Sequence, residues 1–74
     1  QISQDIKAVM RQSPNYYNMP QYARESLDMI ANKMARILNG NYLLNDSWHD
    51  ISGYAALVVM TNEDMENERE PNDF

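Results

Sequence analysis

The stretch "ESLDMIANKMARILNG", residues 25–40, carries apolar side chains at Leu27, Ile30, Ala31, Met34, Ile37 and Leu38. Steps of three and one gather them on one side of a helix, because each residue turns the chain by about 100°. Glu25, Asn32 and Arg36 fall on the other side. Asn39-Gly40 stops the run, glycine being the usual left-handed cap, and Pro20 suits the first turn, where a missing N–H is harmless. The spacing predicts a helix over 20–39. A helix so strongly one-sided needs a neighbour to cover its stripe.

Upstream, Ile2, Ile6, Val9 and Met10 give a second helical stripe over 2–12, which Ser13-Pro14 ends because proline disfavours the helical conformation of the residue before it. The connector "SPNYYNM" follows, with Tyr16 and Tyr17 available to cover the core or line a cleft. Downstream of "NYLLN", Ser47 and Asp50 fit the S-x-x-D variant of a capping box, with Asp46 as an alternative cap. A third helix is expected over 47–62, with Trp48, Ile51, Ala55, Val58, Val59 and Asn62 near one side. Residues 63–70, "EDMENERE", hold five acids and one arginine, and Pro71 and Asp73 follow; residues 63–74 are expected to be an acidic, flexible tail. There is no internal repeat and no strand-like alternation. The expected fold is all-α: a small antiparallel three-helix bundle in residues 1–62, with 20–39 and 47–62 as its central hairpin.

A chain of 74 residues without cysteine builds a modest core and has no disulfide to support it. Dimerisation or higher oligomerisation is therefore expected to supply burial that one chain lacks. The opening Gln1, in place of Met, is what a fragment or trimmed chain would show. The formal charge is −5, yet without residues 63–74 it is zero. That balance argues against direct nucleic-acid binding, which needs a basic surface. No apolar run approaches the roughly 20 residues of a membrane span and no signal-peptide pattern is present, so no membrane association and a cytoplasmic location are expected.

Asp50 is the residue with the most readings. It borders the apolar side of its helix, where it could favour the helix N-terminus by ~0.3–1 kcal/mol. It could pair with Lys33 or Arg36 across the hairpin, fixing register. It could also join a site: Lys33, Arg36, Asp46 and Asp50 form a candidate ligand or ion-pair cluster. Glu25, Asp28 and Asp50 are candidate metal ligands, since magnesium favours a few carboxylates plus substrate oxygens and Glu25-x-x-Asp28 shares a helix face. With a single histidine, His49, and no Cys, no nucleophile–base–acid set can be assigned, so no catalytic residue is named. His49 reads as an exposed or capping residue. Met29 points to the polar side of its helix and, with Tyr16 and Tyr17, marks a candidate interaction surface. Gly53, inside a helix at a cost of roughly 0.5–1 kcal/mol relative to alanine, reads as a point of close packing.

The pattern K-x-x-R-I-L-N-G (residues 33–40) followed by D-S-W-x-D-I-x-G-Y-A (residues 46–55) resembles a family of small phage and prophage helical proteins. Its second block is similar to the D-x-x-x-D-I-x-x-Y-A ending of a nucleotide-modification-associated phage domain. More distantly, the layout is similar to MazG-like all-α nucleotide pyrophosphohydrolases. The resemblance implies a nucleotide-related site, with magnesium held by helix carboxylates and with Asp46, Asp50, Lys33 and Arg36 carried over. MazG-like enzymes pair E-x-x-E on one helix with E-x-x-D on the next, whereas this chain has only Glu25-x-x-Asp28. The leading expectation is thus a phage accessory protein in the host cell that binds a host or phage protein, as inhibitor or adaptor, without a cofactor. The alternative is a magnesium-dependent nucleotide-binding or nucleotide-hydrolysing protein.

Overall fold

Four helices appear in the computed structural model, which describes residues 1–69: α1 (Ile2–Arg11), α2 (Pro14–Asn18), α3 (Gln21–Asn39) and α4 (Asn45–Arg69). No strand occurs among the described residues, so the protein is all-α, as the 3.6-residue periodicity requires. No helix among them is long and apolar enough to cross a membrane.

Local chemistry explains most helix ends. The N–H groups of Gln12 and Ser13 close the last turn of α1 onto the carbonyls of Val9 and Met10. Pro14 then does more than end α1: at the first position of a helix its fixed φ starts a new turn, and the expected connector contains α2. Pro20 caps α3 through its carbonyl, which accepts from the N–H groups of Ala23 and Arg24. Gly40 ends α3 at φ −130°, which is not the left-handed cap expected from the sequence. Glycine suits the position because a Cβ would lie 3.0 Å from the Arg36 carbonyl oxygen.

The α3–α4 turn is built by Asn41. Its carbonyl accepts from the Leu44 N–H, and its side-chain oxygen accepts from the Leu43 N–H at 2.9 Å. The Trp48 indole N–H donates to the Tyr42 carbonyl at 2.9 Å, tying the turn to the helix that follows. Because this turn finishes early, α4 starts at Asn45 rather than Ser47. Ser47 and Asp50 consequently lie within the helix, and the expected capping box is not its first turn. At the other end α4 continues past Asn62 through the acidic stretch to Arg69, where a flexible tail was expected to have begun; residues 70–74 of that tail lie outside the described residues.

Packing is set by α3. Lys33 meets Asp50 and Tyr22 meets Asn62, pairs whose numbers rise on one helix as they fall on the other, so α3 and α4 are antiparallel. On the opposite flank of α3, Asp28 meets Arg11 of α1 and Tyr16 of α2. Ala31 and Ala35 share that flank and are buried, and Tyr16 is the third residue buried among those described. With neighbours on two opposite flanks, the remaining directions of α3 are open faces. The Cα envelope is 53 × 29 × 11 Å. Helices stacked in two layers, at the usual axis separation of 8–10 Å, would need a Cα thickness of about 13 Å or more, so the helices form one layer. The radius of gyration, 15.2 Å, likewise exceeds the ~11 Å of a compact chain of this length.

Candidate functional site

Of the residues the sequence singles out, Lys33 and Asp50 are brought together most closely. Lys33 Nζ lies 2.9 Å from Asp50 Oδ2, with the lysine side chain 15% exposed and the aspartate 48%. The lysine stem fills the α3–α4 seam while its ammonium reaches the rim. With the acid half-exposed, the pair contributes about 0.2–1 kcal/mol; its larger effect is to fix the register of the hairpin. Arg36 and Asp46 line a hollow of about 230 Å³ at the connector, together with Ile37 and Leu44. Geometry thus separates the expected four-residue cluster into an ion pair in the seam and two residues around the hollow beside it.

The candidate metal ligands point to different places. Glu25 accepts a hydrogen bond from the Gln21 side chain at 2.8 Å. Asp28 accepts from the Tyr16 hydroxyl at 3.2 Å and lies 3.6 Å from the Arg11 guanidinium, on the α1 flank. Asp50 is on the other flank, held by Lys33. Among the described residues, no three His, Cys, Asp or Glu side chains are grouped as a metal ion requires. This donor set does not fit a magnesium–phosphate centre, and no chemistry follows through one.

The candidate interaction residues also divide. Tyr16 is buried, its ring under the Arg11 guanidinium at 5.9 Å and its hydroxyl on Asp28; it is a core residue of α2 that touches both α1 and α3. Tyr17 packs edge-on to Tyr16 at 5.1 Å and stays exposed. Met29 is partly exposed and lines an open groove of about 330 Å³ along the α3–α4 seam, with Tyr22, Glu25, Tyr54, Leu57 and Thr61. His49 is exposed. Gly53 has open space where a Cβ would stand, so close packing does not account for it.

The groove shares Tyr22 with a second hollow, which is lined by Asn62, Met65 and Glu66. Its hydroxyls are partly committed: Thr61 Oγ1 donates to the Leu57 carbonyl at 2.8 Å, and the Tyr22 hydroxyl donates to Asn62 Oδ1 beside the Met65 sulfur. What remains in the groove is an apolar lining of Met29 and Leu57 with the Glu25 carboxylate beside it, while Met65 and Glu66 line the hollow beyond Tyr22. Tyr22, Tyr54 and Leu57 escape a reading of the sequence by single stripes. The available signal was Leu57, an apolar residue off the Ile51–Ala55–Val58 stripe of α4, with Met60 further round. A helix apolar on several sides has more than one surface to cover.

No protein-family model, curated protein or solved structure matches this chain. The class its structure defines is that of an all-α protein whose helices lie side by side.

Proposed function

We propose that this protein acts by binding another protein, as a phage-encoded accessory factor in the cytoplasm of the host cell, and that it inhibits or adapts its target. The observation carrying this reading is the pair of hollows that meet at Tyr22, one lined by Met29, Leu57 and Glu25 and the other by Met65 and Glu66. Methionines adapt to varied apolar shapes, which suits a recognition surface. Glu25 and Glu66 favour a basic residue beside the apolar side chain that enters. The partner's chemistry follows: an amphipathic helical or extended segment with one apolar anchor flanked by Lys or Arg.

A peptide array pairing apolar anchors with basic or acidic flanks tests this. Basic-flanked peptides should bind, and Met29→Lys should weaken them at least tenfold, as loss of a central anchor does. Equal binding of acidic-flanked peptides, or indifference to Met29→Lys, would overturn the reading. The same substitution serves as the control in capture from host lysate.

A further inference from the structure

On the side of the layer opposite this groove, α3 and α4 present apolar side chains that nothing covers among the described residues. On α3, Ala23, Leu27, Met34 and Leu38 point away from both flanking helices, on the side remote from Glu25, Asn32 and Arg36. Across the seam, α4 adds Trp48, Ala55, Val58 and Val59, spaced as one helical stripe. None of these side chains is charged. Several are large and open to solvent: Met34 is 41% exposed, Trp48 48%, Val59 54% and Leu38 65%. Domains bury such faces between two packed layers, and this chain supplies one.

The area points to the occupant. A compact monomer of 8.6 kDa exposes about 4,700 Å², whereas this chain exposes 5633 Å². The excess over the whole chain, roughly 900 Å², is of the order of the ~800 Å² that each partner gives to a standard interface. The side chains named here carry no charge, so they meet their own copies with no like-charge opposition.

Shape adds a register. At the end of the face near Pro20, Met19, Leu27, Ile30, Ala55 and Val58 surround an open depression of about 270 Å³. At the other end Met34, Leu38 and Trp48 stand exposed, about 16 Å further along α3 at 1.5 Å per residue. A two-fold axis lying in the plane between the layers and crossing the middle of the face at right angles to α3 lays each end over the other.

We propose that two copies of this chain stack face to face into a two-layer dimer, the Met34–Leu38–Trp48 cluster of each seated in the Leu27–Val58 depression of the other. The contact is isologous, so each depression is filled once and the assembly closes at two. It leaves both Met29 grooves on the outer surfaces and does not depend on what they bind.

Sedimentation equilibrium of the full chain should give twice the 8.6 kDa chain mass at micromolar concentration. Leu38→Glu should weaken dimerisation at least a hundredfold, whereas Leu57→Glu, on the groove side, should leave it within a few-fold. Either a folded or an unfolded Leu38→Glu monomer agrees with the proposal. A wild-type monomer at tens of micromolar with full helical circular dichroism would overturn it, as would a dimer indifferent to Leu38→Glu. Register is tested separately, the chain having no cysteine of its own. Mixed Ala23→Cys and Leu38→Cys chains should oxidise to the heterodisulfide in preference to either homodisulfide; preferential homodisulfides would overturn the two-fold arrangement.

Discussion

At the scale of single residues, the two glycines make opposite predictions. Gly53 sits inside α4 with open space around it, so Gly53→Ala removes backbone entropy at no steric cost and should raise stability by about 0.5–1 kcal/mol, read from urea melts. Gly40→Ala instead sets a methyl 3.0 Å from the Arg36 carbonyl, a backbone atom that cannot turn aside, and should lower stability in the same assay. A failure of Gly53→Ala to stabilise would mean that another chain packs at that point. Tyr16→Phe should cost about 1 kcal/mol through loss of the hydrogen bond to Asp28, without changing helical content. Asp50→Asn should cost no more than about 1 kcal/mol, because the acid it neutralises is half in water.

At the scale of elements, α3 was legible because its stripe, its entry at Pro20 and its stop at Gly40 all agree, and three local signals seldom mislead together. The start of α4 was not, because both cap signals, Asp46 and Ser47, fall inside the helix once Asn41 forms its own turn and α4 begins at Asn45. The far end of α4 was misread for a different reason. Charge density suggested fraying, but Glu and Met are good helix formers, and Met65 gains a contact with Tyr22 that no local window contains. Truncation after Glu66 should therefore leave the melt unchanged, whereas truncation after Thr61, which removes Asn62 and Met65, should cost about 1–2 kcal/mol by thermal or urea denaturation. The same logic sorts the site. Lys33–Asp50 could be read from the sequence because a short connector fixes which turns of two antiparallel helices meet. The Met29 groove could not, since its lining comes from the flanks of two stripes and exists only once their relative rotation is set.

At the scale of the molecule, one layer of helices has too little interior to be self-sufficient, and the buried residues Tyr16, Ala31 and Ala35 make that concrete. Stability shared with a second copy rises by mass action, so the melting temperature should climb with protein concentration; a constant value across a hundredfold range would point to a monomer that needs no cover. Binding at the groove, if steered by Glu25 and Glu66, should associate more slowly as salt is raised through the Debye range, which stopped-flow measurement reads directly. The 11 Å thickness has a further consequence for how the backbone trades protons with water. In a single layer every helix has two open sides, so amides rely on their own helix and lack a deep interior to slow their opening. Amide hydrogen exchange of a dispersed chain should therefore be fast and nearly uniform along α3 and α4. Stacking should replace that uniformity with a helical rhythm, slow at Leu27, Met34 and Ala55 and quick at Glu25, Asn32 and Gly53, so that the labelling pattern itself would report which side of the layer is covered.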